Sequence, residues 1–486
     1  MEKRWVMVID AYKGIRKNAA NMLSGFLSGL LSYVLPVKLV DELTDAERQM
    51  HQIIAVGACG DHALLAGCQE QGLLAVPNEA EGYGIYVGAS PFDATGQIVA
   101  IAGTDESGIL YGCMDFINTY CGDILYQNRD IWSVACFQYP LERPLNKWRT
   151  SAVPAIKTRA IWTWGHVIYD YRDFLQNMAR LRLNEIVIWN DDAPLNAKDI
   201  VDHAHGLGIK VIWGFAWGWG LACVKEIEAF SKADGLQKLK EAVLNTYRTQ
   251  YEGTGADGIY FQSFTEMSVD TVGGMCVAEV VTRLVNNIAG ELLSLDPHLH
   301  IQFGLHATSV KTRLEYLKQV DERVSIVWED CGAFPYHYDP DHIEDFDETY
   351  ALTDTLLSLR GETEKFGAVL KGMLKLDWHI FEHPSGRYIL GERTKEFIRE
   401  RQLQKDKLWK LVRGSWLKNA EYFRKTVALM AAKGKEPIVQ ALVEDAMLEN
   451  TIALPVAIYA QTLWTPTLPA AEIIKRASKS PFVEDR

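Results

Sequence analysis

Residues 256–267, ADGIYFQSFTEM, open as a buried strand, with Ile259, Tyr260 and Phe261 in one apolar run, and close on Thr265 and Glu266. A carboxylate placed where a strand runs out decides the reading of this chain, because the same arrangement recurs. TRAIWTWG (158–165), NEIVIWND (184–191), KVIWGFAWGWG (210–220), LHIQFGLH (299–306), RVSIVWEDCG (323–332) and GAVLKGMLKLDW (367–378) are all short β-branched and aromatic runs that end in polar residues. Helical patterns separate them, among them YRDFLQNMARLRL, AKDIVDHAHGLG and CVAEVVTRLVNNIAGELL, the second closing on Gly206 and Gly208. Strands that are apolar throughout, alternating with helices, predict a parallel sheet covered on the outside. Seven such steps within about 230 residues predict a (β/α)8 TIM barrel. The eighth strand has no clear signal, and residues 396–486 read as a helical region in which it is hidden or absent.

The first 140 residues have a different rhythm. WVMVID, QIIAVG, YGIYVG and QIVAIAG read as strands, and GIRKNAANMLSGFLSGLLSYV as an amphipathic helix, which makes a small α/β unit. Residues 137–157, with Pro140, Pro144 and Pro154, read as a linker. The expected organisation is therefore an accessory α/β domain at 1–140, the barrel at 155–395, and the C-terminal helical region at 396–486.

Composition sets limits on function. The chain has 486 residues, 48% hydrophobic and 23% charged, as ordinary globular proteins do. A net charge of −13 and a pI near 5.5 argue against a nucleic-acid partner, which requires clustered cations. The apolar run at the N-terminus stops at Asp10, and no run of about 18 or more apolar residues follows, so neither a signal peptide nor a membrane span is expected. The eight cysteines show no paired or zinc-like spacing and read as reduced. A cytoplasmic location fits these features, and a homo-oligomer is left open.

A barrel carries its reactive groups at the C-terminal ends of its strands. Reading those ends in order gives Trp162, Trp164 and His166; Trp189, Asn190, Asp191 and Asp192; Trp213, Trp217 and Trp219; Glu266; His306; Trp328, Glu329 and Asp330; Asp377, Trp378 and His379. A single Trp there is ordinary packing. Tryptophans together with carboxylates match a sugar ring, whose C–H face stacks on indole while its hydroxyls take polar partners. Asp191 and Asp192 fit equally well as a helix cap. Glu266 and the Glu329–Asp330 pair are followed by loops instead, the second of these bringing Tyr336, and they are the candidate catalytic residues.

Glycosidic cleavage needs an acid for the leaving oxygen and a second carboxylate, about 6.5–9.5 Å away for inversion or about 5–5.5 Å for retention. Glu266, between Phe264 and Met267, suits the acid, with Glu329 or Asp330 as its partner and Asp377 as a third choice. Trp162, Trp164, Trp189, Asn190, Asp191, Trp217, His306, Trp328, Tyr336, Asp377 and Trp378 are the expected sugar contacts. No HxH pair begins a metal site, so no metal or cofactor is expected. An acidic sugar would call for a rim cation, for which Arg159, Lys311 and Lys375 are available.

EGYGIYVG followed by IVAIAGTDESGILYGCMDFI, and LWTP (463–466) followed by AAEIIKRAS, give the chain a resemblance to glycoside hydrolases of the α-glucuronidase type (family 67) and the β-N-acetylhexosaminidase type (family 20). Both place a small α/β domain ahead of a catalytic barrel, and the resemblance implies that the acid is the Glu after the fourth strand, here Glu266. Family 20 puts Asp directly before that residue, where this chain has Thr265. A small hydroxyl residue there is similar to the α-glucuronidases, which use water with inversion. IVWEDCGAFPY departs from their sixth-strand pattern, which implies a sibling family with another sugar preference. The expectation is an exo-acting, inverting, α-glucuronidase-like hydrolase of a glycoside or oligosaccharide. A hexosaminidase-like enzyme and a non-hydrolytic carbohydrate-binding barrel are the alternatives.

Overall fold

The computed structural model describes residues 3–128, 139–217, 233–263, 270–306, 310–329, 346–373, 386–443 and 446–485. The N-terminal unit is a six-stranded sheet in the order β2–β1–β3–β5–β4–β6, built from β1 (Trp5–Ile9), β2 (Val37–Leu39), β3 (Gln52–Gly57), β4 (Tyr83–Ala89), β5 (Gln97–Gly103) and β6 (Trp148–Ala152). β1, β2, β3 and β5 run parallel, and β4 lies antiparallel to both its neighbours. Side-chain alternation sorts its two faces. Met7, Ile54 and Ile101 pack with helices Gly14–Ser28 and Glu106–Asp115, whereas Val8, Ile53 and Ala100 pack with helix Ala63–Glu70. β6 falls inside the stretch read as a linker. Its sequence, WRTSA, has no apolar run; it pairs with β4, and Trp148 and Ala152 pack against the core.

Eight parallel strands close the barrel. In chain order they are Thr158–Trp164, Glu185–Trp189, Lys210–Ala216, Gly258–Gln262, His300–His306, Ser325–Glu329, Phe366–Met373 and Ile438–Val443. The eighth pairs Ile438 to Leu442 with Thr158 to Trp162 of the first. It follows the 39-residue helix Lys395–Lys433, which serves as the crossover from strand seven. The barrel thus extends past residue 395 to Val443, and helices Leu454–Trp464 and Ala470–Lys479 follow it. Among the described residues no helix is long and apolar enough to cross a membrane, and Cys59, Cys68, Cys113, Cys121 and Cys276 are free thiols.

One core continues from the N-terminal unit into the barrel. At their junction the Trp464 ring lies against the guanidinium groups of Arg159 (5.0 Å) and Arg182 (4.5 Å) and the rings of Tyr83 and Tyr111. Arg159 is fully buried and donates to Glu81 Oε2 at 2.8 Å and to the Arg182 carbonyl at 2.9 Å. It lies at the start of the first strand, at the end of the barrel opposite the strands' C-terminal ends, so it does not serve as a rim cation. Lys311 is paired with Glu348 at 3.1 Å, and Lys375 lies outside the described residues.

Candidate active site

Strand parity determines which side chains reach the barrel interior. Trp162, Trp164, Val187, Trp189, Ile212, Tyr260, Val327, Val369 and Leu442 form the interior cluster, while their strand neighbours Ile161, Ile186, Ile188, Trp213 and Phe261 join the helix-facing core. The four large rings interlock: Trp162 meets Trp164 edge-on at 4.9 Å, and Tyr260 meets both Trp162 (5.9 Å) and Trp189 (6.2 Å) edge-on. They make an aromatic layer inside the barrel toward the C-terminal ends of its strands. Trp162 Nε1 is buried there without a hydrogen-bond partner among the described residues.

Glu329, the last residue of strand six, continues the inward parity of Val327 and is 4% exposed. Its Oε1 accepts from the Tyr260 hydroxyl and from Gln262 Nε2, both of strand four. Its Oε2 lies 3.4 Å from Nε2 of His306, which ends strand five. The three strands are neighbours in the order four, five, six, so groups from strands four and six meet above the intervening strand. Gly304 of strand five lets them meet. A Cβ at that position would lie 2.0 Å from the Tyr260 hydroxyl and 2.8 Å from Glu329 Oε1.

The structure thus brings together Trp162, Trp164, Trp189, His306 and Glu329 of the residues singled out in the sequence. It does not bring Trp217 and Trp328 to the barrel interior. Both have the outward parity and are fully buried against the helices, Trp217 stacked on Phe261 at 3.5 Å. Asn190 also has outward parity: its Oδ1 accepts from the Tyr388 hydroxyl and its carbonyl from the Tyr251 hydroxyl at 2.7 Å. Burial raises both phenols above their ordinary range, keeping them protonated donors. Asp191 is exposed at the end of strand two. Glu266, Asp330, Tyr336, Asp377 and Trp378 lie outside the described residues. Tyr260 and Gln262 were not singled out, although both stand in the opening motif with the same inward parity. Among the described residues no group of His, Cys, Asp and Glu could hold a metal ion.

Trp162, Trp164, Trp189 and Tyr260 thus stand beside a buried, doubly anchored carboxylate at the C-terminal end of an eight-stranded barrel. No protein-family model matches the chain, and no curated protein does. Among solved structures it is similar to a family 138 glycoside hydrolase targeting pectin rhamnogalacturonan II, with a TM-score of 0.50 at 12% identity, covering 96% of this chain and 51% of that one. It is also similar to a family 115 4-O-methyl-α-glucuronidase with specificity for decorated arabinogalactans (TM-score 0.46, 12% identity, 99% of this chain and 57% of that one). A third is a family 20 β-N-acetylglucosaminidase (TM-score 0.45, 9% identity, 95% and 86%). The likeness to the first of these shows a shared TIM-barrel fold, and the chain spans about half the length of the first two structures.

Proposed function

We propose that the chain is an exo-acting glycoside hydrolase in which Glu329 is the carboxylate that activates water and Glu266 is the general acid. The observation that carries this reading is the Glu329 carboxylate, anchored from strand four and set beside the Trp162–Trp164–Trp189 wall. Hydrogen-bond donors favour the ionised form of a carboxylate, which is the form a base needs. The water oxygen bonds to the anomeric carbon as the glycosidic C–O bond breaks. One water proton passes to Glu329, and the leaving oxygen takes a proton from Glu266. Water attack of this kind inverts the anomeric centre. Glu329 belongs to the strand itself and is 4% exposed, so the reacting bond must come below the rim. A chain end fits that depth better than a chain middle, which supports exo action.

Aryl glycosides, including glucuronides and N-acetylhexosaminides, test the reading. Glu329→Gln is expected to lower kcat on the cleaved substrate by at least about 1,000-fold while calorimetry still detects sugar binding. Product NMR is expected to show inversion. Sugar binding without turnover by the wild-type protein would instead establish a carbohydrate-binding barrel.

A further inference from the structure

The glycosidase reading leaves open how Glu329 is aimed, and the inference drawn here rests on that reading. We infer that Tyr260 and Gln262 are positioning residues that clamp Glu329 through Oε1, holding its carboxylate ionised and in one place for the reaction.

A carboxylate oxygen offers two lone-pair directions, and at Oε1 one is taken by the Tyr260 hydroxyl and the other by Gln262 Nε2. Oε2 is turned toward His306, 3.4 Å from its Nε2. The clamp is stiff because both donors belong to strand four and the acceptor to strand six, and ladder pairing through strand five fixes those strands relative to each other. Tyr260 is fully buried, with its ring edge-on to Trp162 and Trp189, which hold it toward Glu329. Gly304 supplies the passage between donor and acceptor; any side chain there would occupy the space of the Tyr260 hydroxyl. A merely structural tyrosine would need no bare position on the next strand aimed at a carboxylate.

The test measures the clamp with and without turnover. With glutamate carrying 13C at its carboxyl, the difference spectrum against Glu329→Gln isolates the Glu329 signal. Tyr260→Phe and Gln262→Met each remove one donor from the charged form and are expected to raise its titration midpoint by about one pH unit. On a cleaved aryl glycoside the acid limb of kcat/KM should rise by the same amount. kcat should fall about 10- to 100-fold with KM nearly constant. Gly304→Ala, which deletes no functional group, should reproduce both effects by forcing Tyr260 away; if that variant does not fold, the two donor variants decide alone. An unchanged midpoint in both donor variants overturns the clamp. A shifted midpoint in a protein that cleaves no glycoside keeps the clamp and rejects the glycosidase reading.

Discussion

At the residue scale, the proposed chemistry depends on where one carboxylate ends. Glu329→Asp keeps the charge but withdraws it by one methylene, about 1.5 Å, from Tyr260 and from the substrate. Misplacement of about 1 Å costs roughly 100-fold. We expect kcat to fall by about that factor, with sugar binding retained and less loss than in Glu329→Gln; steady-state kinetics beside calorimetry checks this. Glu329, Trp162, Trp164 and Trp189 were legible because a strand end of a parallel barrel is defined by sequence alone. Parity was not, because a strand buried on both faces is apolar at every position and hides its period of two. The structure shows the rule: Trp189 and Trp328 both end apolar runs, but Val187 and Val327 are interior, so Trp189 points in and Trp328 points out. Applied to IVWED, the rule puts Glu329 inward once Trp328 is outward. Applied to IYFQ, it would have picked out Tyr260 and Gln262.

At the element scale, the eighth strand was hidden because a 39-residue helix separates it from the seventh, far longer than any other helix among the described residues. Its sequence, IVQALV, is short and carries a buried Gln440. Equally unforeseen is the strap at 386–393, which has no periodicity to read. Its groups bond to the loops after strands one and two. The Tyr388 carbonyl accepts from Leu195 N, the Gly391 carbonyl from Tyr171 N, and the Tyr169 carbonyl from Arg393 N. Gly165 gives the strap its seat, since a Cβ there would lie 2.5 Å from the Tyr388 hydroxyl and 2.4 Å from Asn190 Oδ1. Gly165→Ala is expected to cost about 1–3 kcal/mol by overpacking, read as a lower urea midpoint. It should also open 386–393 to protease. An unchanged midpoint would show that the strap contributes nothing to stability.

At the scale of the whole molecule, the floor of the barrel ties its strands together by polar groups rather than by apolar packing alone. Gln440 Nε2 of strand eight donates to Gln302 Oε1 of strand five at 2.6 Å, and Gln302 Nε2 donates to Glu185 Oε1 of strand two at 2.9 Å. Burial disfavours the charged form of Glu185 and raises its pKa from 4.5 to about 7. Glu449, buried where its Oε1 accepts from Tyr169 N and Asp170 N at 2.6 Å, is raised in the same direction, chiefly by burial. Between pH 4.5 and about 7 the unfolded chain has released the Glu185 proton while the folded protein still holds it. The folded state then binds more protons, and stability falls as pH rises through that window. The Glu185 contribution is fully present below pH 4.5 and lost above about 7, a total of about 3 kcal/mol at 1.36 kcal/mol per unit. Glu185→Gln keeps an acceptor for Gln302 and has no proton to lose. It should match the wild type near pH 4 and exceed it by about that amount near pH 8, as measured by urea unfolding at each pH. The difference between the two proteins removes the Glu449 contribution, which both share, so parallel stability curves would mean that Glu185 stays ionised in the folded barrel.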